Sequence, residues 1–267
     1  MLGVLAVTTL ADFPVVTVRI RGVLDFEAAP EVRKALRKQL ADQPAVLVLD
    51  LADVVLARPA ALSVLRSAIR AATDGPAGVP IVIIAPDPRI HDALRRSGFD
   101  RQVYVAGSAA EAAELAARHP APLRHVLRGL LPQPGTLREA RQAVGAACGS
   151  WGVSGVSLEA ELVAGELVTN AIEHARTVFD VTIAYRVPYI HLAIRDGCPR
   201  PPRQTGPDTS VSARGRGLLV VDNIAAAWGS VPSGSGKVVW ATIRATGQDR
   251  EPPAAREAVV IRPARWA

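Results

Sequence analysis

The sequence predicts an α/β protein built from two domains, and three observations support this prediction. The length of 267 residues suits two modest domains, each able to bury a core of its own. In the first half, short apolar segments alternate with longer amphipathic ones, as strands and helices do in α/β layer folds. A proline-rich stretch, 119–134, disfavours a continuous helix and separates this half from a second half with its own strands and helices.

The elements of the first half follow from hydrophobic periodicity and from turn residues. Residues 15–21 alternate between apolar and polar as a half-buried strand does, and 45–50 is a continuous apolar run typical of a buried central strand. Pro30 lies near the start of the helical segment 28–40, where proline is tolerated. The remaining predicted elements of this half are a turn at 22–25, a helix at 60–72, a strand at 79–85 and a helix at 89–97.

The most informative segment of the second half is 166–174. On a helix, Glu166, Asn170 and His174 lie four residues apart and therefore share one stripe. Because the neighbouring positions are mostly apolar, we expect the helix to be buried. These apolar positions are Leu162, Val163, Ala164, Leu167, Val168, Ala171 and Ile172. A carboxylate and an amide on a buried helix need polar partners, and Mg²⁺ with a phosphate would supply them. The alternative is a solvated amphipathic helix with an ordinary polar face.

The segments that follow this helix also favour a phosphate ligand. Residues 191–197 read as a strand that ends in an acidic turn with Asp196. A loop rich in Pro, Gly, Ser and Thr, 199–212, comes next, and Gly215 and Gly217 then precede a new apolar helix. Glycines ahead of a helix leave backbone N–H groups free, and the helix dipole favours an anion there.

The region 131–245 resembles the ATP-binding domain shared by gyrase, the heat-shock chaperone, sensor histidine kinases and mismatch-repair proteins. More narrowly, it resembles the bacterial anti-sigma factor serine/threonine kinases, through Glu166-Leu-Val-Thr-Asn170-Ala-Ile-Glu-His174 and the residues named above. The resemblance implies that Glu166 is a general base, Asn170 holds Mg²⁺ on ATP, and Asp196 binds the adenine. It assigns the other cofactor-binding roles to His174, Gly197, Gly215, Arg216, Gly217 and Leu218.

Two departures from this family concern the adenine. Pro199 follows Asp196-Gly197-Cys198, so the longer Asp-x-Gly-x-Gly pattern is absent, although a related subgroup shares the short form. Val238 stands in the late strand where relatives often carry a threonine that helps hold the adenine edge. The loss of one hydrogen bond, about 0.5–1.5 kcal/mol, would weaken nucleotide binding roughly tenfold.

Residues 10–117 resemble the STAS domain, the fold of anti-sigma factor antagonists, through segments 18–25, 46–54 and 97–100. That family carries an Asp-Ser-Ser-Gly segment in which one serine is phosphorylated. Here Arg58-Pro59-Ala60-Ala61 offers no hydroxyl, so the switch cannot operate and we expect a docking or packing module. The predicted domains are a STAS-like α/β domain at 1–118, a linker at 119–134, an α/β sandwich of the histidine kinase-like ATPase type at 135–245 and a flexible tail at 246–267.

Composition disfavours several other classes of protein. The net charge is +6, but Lys and Arg are scattered and aromatic residues are few, which argues against direct binding of nucleic acid. Cys148 and Cys198 are the only cysteines and show neither a zinc-binding spacing nor a disulfide framework, so a reducing cytoplasm is the expected setting. No apolar run approaches the roughly 20 residues that span a bilayer, and the opening segment is a poor signal peptide because it lacks a basic start.

We therefore predict a cytoplasmic regulator of the anti-sigma factor serine/threonine kinase type, with ATP and Mg²⁺ as cofactors. Its partner would be a sigma factor, a separate STAS antagonist, or both, and a homodimer is left open. One alternative is a non-catalytic switch that binds a sigma factor or antagonist according to its nucleotide state. Another is a fold that binds no nucleotide. A histidine kinase is disfavoured, since no histidine-bearing dimerisation hairpin precedes the ATP-binding region.

Overall fold

The computed structural model describes residues 5–12, 14–73, 78–99, 103–202, 217–234, 236–245 and 259–261. The chain divides into two compact α/β units, and the boundary between them lies between Ala121 and Pro122. Each unit is built around one sheet, so the predicted fold class is confirmed. None of the described helices is long and apolar enough to cross a membrane.

The first unit has a sheet of five described strands in the order β1-β2-β3-β4-β5. Strand β1 is antiparallel to β2, and the other neighbouring pairs are parallel. The first residues of the central strand are all buried, as expected for a strand covered on both faces. The elements are β1 (Ala6–Asp12), β2 (Val15–Leu24), α1 (Ala29–Leu40), β3 (Val46–Leu56), α2 (Leu62–Thr73), β4 (Ile81–Ile84), α3 (Pro88–Arg96), β5 (Tyr104–Ala106) and α4 (Ala109–Ala117).

The predicted turn at 22–25 is wrong, because strand β2 continues to Leu24. Gly22 lies within the strand with a φ of 99°, a conformation that glycine adopts without a Cβ clash. Asp25 then ends the strand and caps the helical turn that follows. Its Oδ1 accepts hydrogen bonds from the N–H groups of Glu27 at 3.0 Å and Ala28 at 3.1 Å.

The second unit has a sheet of six described strands in the order β11-β6-β7-β8-β10-β9. All neighbouring pairs are antiparallel except β11 and β6. One continuous hydrophobic core joins the helices to one face of this sheet. The elements are β6 (Leu123–Leu130), α5 (Pro134–Ser150), α6 (Ser157–Asn170), β7 (Phe179–Arg186), β8 (Tyr189–Asp196), α7 (Gly217–Ile224), β9 (Ala227–Ser233), β10 (Gly236–Arg244) and β11 (Val259–Ile261).

The predicted linker and the predicted flexible tail each contain a strand. Much of the predicted linker at 119–134 is strand β6, which pairs with β7 in the second sheet. Within the predicted flexible tail at 246–267, β11 pairs in parallel with β6, while the rest of that segment lies outside the described residues. The residues of β11 are two valines and an isoleucine, which favour strands, and they extend the sheet beyond β6.

Helix α6 is less buried than its sequence predicts. Leu167 and Val168 are fully buried in the core, but Leu158 is 77% exposed and Leu162 is 39% exposed. The prediction of a helix buried nearly all round is therefore wrong for the face that carries these two leucines. Because 158, 162, 166 and 170 are four residues apart, this partly open stripe leads along the helix to Glu166.

Candidate functional site

Helix α6 presents two of the predicted site residues one turn apart. Glu166 is half-buried, and Asn170, the last residue of the helix, is only 9% exposed. The side-chain Nδ2 of Asn170 is buried and has no hydrogen-bond partner within the described part of the chain. An unpaired buried amide is costly unless a ligand completes its hydrogen bonds. Asn170 therefore has the character of a ligand-binding side chain.

His174 departs from the stripe that the sequence predicts. Helix α6 ends at Asn170, and 171–175 forms a wider π-type turn closed by a 2.9 Å hydrogen bond from Arg176 N–H to the carbonyl of Ala171. This hydrogen bond spans five residues instead of four, so the regular α-helix on which the predicted stripe rests ends at Asn170. His174 is exposed, whereas Asn170 is buried. Its predicted role near the phosphates remains a prediction.

The start of helix α7 lies against Glu166. A Cβ built on Gly217, the first residue of α7, would collide with Oε2 of Glu166 and lie 3.3 Å from its Cδ. The absence of a side chain at Gly217 thus lets the carboxylate approach the helix start. Leu218 is buried in the hydrophobic core, so its side chain packs rather than faces a ligand. Gly215 and Arg216 lie outside the described residues.

The end of strand β8 is tied to the loop that follows α6. The N–H of Gly197 donates to Oγ1 of Thr177 at 2.9 Å. A Cβ on Gly197 would touch that side chain, at 3.3 Å from Oγ1. This contact fixes the turn after Asp196 beside the segment that leaves the helix of Glu166 and Asn170. Three regions distant in sequence are thereby held within one site.

Asp196 is engaged in a buried ion pair with Lys237. The two residues are direct partners in the antiparallel register of β8 and β10. Nζ of Lys237 donates to Oδ1 of Asp196 at 3.0 Å and lies 2.9 Å from Oδ2, a charge contact without hydrogen-bond alignment. The side chains are 0% (Asp196) and 4% (Lys237) exposed. Two further bonds complete the network, from Cys198 N–H to Oδ1 at 2.8 Å and from Nζ to the Cys198 carbonyl at 3.2 Å.

Lys237 is the site residue that sequence reasoning missed. Side chains alternate between the two faces of a strand, and Val239 belongs to the core beneath the helices. Lys237 therefore faces the helices together with Asp196, whereas Val238 faces the other side of the sheet. The interpretation of Val238 as the residue at the adenine edge is wrong for this reason. A lysine in the strand Gly236-Lys237-Val238-Val239 was the available signal, but only the register places it beside Asp196.

The two cysteines differ in their acidity. Burial, with the nearby Glu161 carboxylate as a second cause, raises the pKa of the Cys148 thiol to about 11. Hydrogen bonds from the backbone and side chain of Arg200 lower the pKa of the Cys198 thiol. Cys198 borders the Asp196–Lys237 pair through its backbone, so the more acidic thiol is the one at the site.

The residues at this site fit a magnesium ion held largely by a ligand's phosphates. Within the described ranges, no three His, Cys, Asp or Glu side chains form a cluster that could hold a metal. Mg²⁺ with few protein ligands does not need such a cluster, since it keeps waters and phosphate oxygens. The unpartnered, buried Nδ2 of Asn170 is a donor that fits a phosphate oxygen, and the amide oxygen of the same side chain is the atom that could bind Mg²⁺. The carboxylate of Asp196 does not have an open face for an adenine while Lys237 holds it.

The segment before helix α2 in the first unit carries no acceptor for phosphate. Residues 58–61 contain no hydroxyl, as the sequence shows. The nearest serine, Ser63, is exposed, and its Oγ donates to the carbonyl of Ala60 at 2.7 Å. That bond folds the hydroxyl back on its own helical turn. The first unit therefore has its sheet and helices but no side-chain hydroxyl in the segment 58–61 that leads into α2.

Comparison with known proteins identifies both units. The model of the STAS domain matches residues 7–112, and that of the histidine kinase-like ATPase domain matches residues 130–243. No curated protein sequence matches the chain at a significant level.

Similar solved structures each cover about two fifths of the chain. An anti-sigma factor antagonist from Mycobacterium paratuberculosis is 22% identical with a TM-score of 0.35, and the match covers 43% of this chain and 95% of that one. The anti-sigma factor antagonist SpoIIAA in its unphosphorylated form is 14% identical with a TM-score of 0.34, over 42% and 97% of the two chains. The phosphorylated form of SpoIIAA, a Bacillus cell fate determinant, is 14% identical with a TM-score of 0.32, over 41% and 98%. The chain thus carries a STAS domain followed by a histidine kinase-like ATPase domain.

Proposed function

We propose that this protein is an ATP-binding regulator of the anti-sigma factor serine/threonine kinase type, which phosphorylates a separate STAS antagonist and so controls a sigma factor in the cytoplasm. The observation that carries the proposal is the arrangement on helix α6. Glu166 and Asn170 lie one turn apart, and the Glu166 carboxylate lies against Gly217 at the start of α7. Phosphoryl transfer is catalysed mainly by positioning and by stabilisation of charge. A carboxylate, an amide and the N-terminus of a helix can provide both.

Each of these residues has a distinct role in the proposal. The Asn170 amide binds Mg²⁺, which neutralises charge on the phosphates of ATP. The N–H groups at the start of α7 face those phosphates, with Gly215 and Arg216 ahead of them in the sequence. Glu166 accepts the proton of the attacking serine, and its half-buried position leaves it reachable by a partner.

The phosphorylated serine belongs to another protein. The STAS domain of this chain has Arg58-Pro59-Ala60-Ala61 where antagonists carry their serine segment. Its own domain is therefore a docking or packing module rather than a substrate. The partner is a separate STAS protein with an intact serine segment, and the sigma factor is bound or released as that serine changes state.

The second candidate function is a nucleotide-dependent switch without catalysis. One observation favours it: the Asp196 carboxylate is already paired with Lys237 and has no exposed surface. A site with weakened base recognition would hold nucleotide loosely and respond to its concentration. In this case Glu166 would be retained without a catalytic role.

Replacement of the proposed base separates the two functions. Glu166→Gln keeps the shape of the side chain and removes its basicity. If the protein is a kinase, this change should lower phosphorylation of a partner by about 10²–10⁴-fold while ATP affinity changes by less than about threefold. Glu159→Gln is the matched control, because Glu159 lies on the same helix and is exposed.

The assay mixes the purified full chain with STAS proteins from the same genome and measures labelled phosphate on each. Labelling of one partner by wild type and Glu159→Gln, but not by Glu166→Gln, supports the kinase. Binding of ATP without labelling of any partner supports the switch. Equal labelling by Glu166→Gln and wild type shows that Glu166 is not the base.

A further inference from the structure

We propose that Lys237 removes base recognition from the nucleotide site, so that this domain binds purine nucleoside triphosphates without selecting adenine. The inference rests on the proposed nucleotide binding at this site and adds the residue that sets its selectivity. It follows from the ion pair between Lys237 and Asp196 and from the burial of both side chains.

Recognition of adenine by a carboxylate has two requirements. The exocyclic amine of adenine is a hydrogen-bond donor, so it needs an oxygen with a free lone pair pointing at the base. It also needs contact with that oxygen, which therefore has to border the base site. A purine with an oxygen at position 6 offers an acceptor there instead and gains nothing from a carboxylate.

Oδ2 of Asp196 accepts no hydrogen bond from the described residues, but the side chain is fully buried, so the second requirement is not met. Its Oδ1 already accepts from Nζ of Lys237 at 3.0 Å and from Cys198 N–H at 2.8 Å. Its Oδ2 lies 2.9 Å from the same Nζ, and the side chain has no exposed surface. To accept from an amine, the carboxylate would first have to leave a charged partner inside the protein.

Lys237 does not offer a replacement contact. Its ammonium group has three donors and no acceptor. One donor goes to Oδ1 of Asp196 and another to the Cys198 carbonyl at 3.2 Å, and Nζ also lies 2.9 Å from Oδ2 without a hydrogen bond. The side chain is only 4% exposed. Both charged groups are buried against each other, and the pair therefore presents neither of them to an amine or a carbonyl.

The consequence is a division of the nucleotide site. At the phosphate end, the buried Nδ2 of Asn170 lacks an acceptor among the described residues and can donate to a phosphate oxygen. At the base end, Asp196 and Lys237 are buried and paired with each other. Affinity should then come from phosphates and Mg²⁺, which ATP and its analogues share, and discrimination between bases should be small.

The test compares ATP with ITP, which carries an oxygen in place of the amine at position 6, and with GTP. Calorimetry with Mg²⁺ on the full wild-type chain should give affinities within about threefold of one another. In Lys237→Thr, the shorter side chain releases the carboxylate and leaves a hydroxyl donor beside it. That variant should bind ATP at least tenfold more tightly than ITP.

Two controls separate selectivity from other effects of the substitution. Lys34→Thr makes the same change at an exposed lysine of the first unit and should leave the ratio of affinities at the wild-type value. The double variant Lys237→Met with Asp196→Asn removes both charges at similar volume. It should also show no preference for ATP, because the acceptor is lost together with the lysine.

The outcomes are distinct from those that test the proposed function. If wild type prefers ATP over ITP by more than threefold, the inference is overturned while the proposed nucleotide binding still stands. This measurement needs only the wild-type protein, so it does not depend on the folding of a variant. A folded Lys237→Thr whose preference stays below tenfold also overturns it. If wild type binds no nucleotide, the proposed function fails. In that case the inference survives only if Lys237→Thr binds ATP with the tenfold preference, and absence of binding to both proteins overturns it.

Discussion

Substitution of Gly217 by alanine should separate stability from function at this site. The new Cβ would collide with Oε2 of Glu166 and lie 3.3 Å from its Cδ and 3.7 Å from its Cβ. To restore an ordinary contact distance, the carboxylate has to move by roughly 1 Å, and a misplacement of that size costs about 10²-fold in rate. We therefore expect phosphorylation of the partner to fall by about two orders of magnitude.

The same substitution should change stability little. Gly217 does not have a left-handed backbone, and replacing glycine by alanine at a compatible position stabilises a protein by about 0.4–1 kcal/mol because the unfolded chain loses conformational freedom. Displacement of the Glu166 side chain from a preferred rotamer costs about 0.5–1.5 kcal/mol, so the two effects largely cancel. The free energy of unfolding should stay within about 1 kcal/mol of wild type in urea titrations followed by circular dichroism.

The matched control is Gly149→Ala on helix α5. A Cβ there meets no atom within 4 Å, so the variant should be as stable as wild type or slightly more stable, with unchanged transfer. The reasoning is refuted if Gly217→Ala transfers phosphate at the wild-type rate. It is also refuted if Gly217→Ala loses more than about 2 kcal/mol of stability, because the glycine would then be needed for the fold rather than for Glu166.

Three further results are expected. Leu167→Ala, at a fully buried position of α6, should lower the free energy of unfolding by about 2–5 kcal/mol in urea titrations. Leu158→Ala, at a position 77% exposed on the same helix, should lower it by less than about 1 kcal/mol. Equal losses in the two variants would contradict the assigned core. As pH rises, iodoacetamide should alkylate Cys198 before Cys148, whose pKa is raised to about 11, and the reverse order by peptide mass spectrometry would contradict the assigned environments. Incubation with labelled ATP should leave the chain's own STAS domain without phosphate, and stoichiometric label, for example on Ser63, would show a displaced acceptor.

The hydrophobic pattern predicted those helices and strands that are determined by the residues of a single segment. The strand at 45–50 and the helix at 28–40 lie close to their expected positions, because a continuous apolar run and a periodic stripe each determine one element. The stripe of Glu166 and Asn170 was predictable for the same reason. His174 was not, since the widened turn at 171–175 depends on how the chain leaves the helix.

Contacts between distant strands could not be predicted from pattern. Strand β11 pairs with β6, more than a hundred residues earlier in the chain, and three β-branched residues do not specify that partner. The position of Lys237 beside Asp196 requires the register of β10 against β8, and a shift by one residue would place Val238 there instead. For this reason the sequence pattern assigned the adenine edge to Val238, and it did not predict the buried ion pair between Asp196 and Lys237.

The central claim is that the second unit binds a nucleotide through Mg²⁺ held by Asn170. The most direct measurement is calorimetric titration of the full chain with ATP, with Mg²⁺ or with chelator, for wild type and Asn170→Ala. The control is Asn223→Ala, which changes an exposed asparagine of α7 whose Nδ2 donates to the Leu219 carbonyl at 2.7 Å. The account predicts binding by wild type and the control with Mg²⁺, and at least tenfold weaker binding by Asn170→Ala or without the metal. Equal affinity under all these conditions, or no binding by folded wild type, would contradict it.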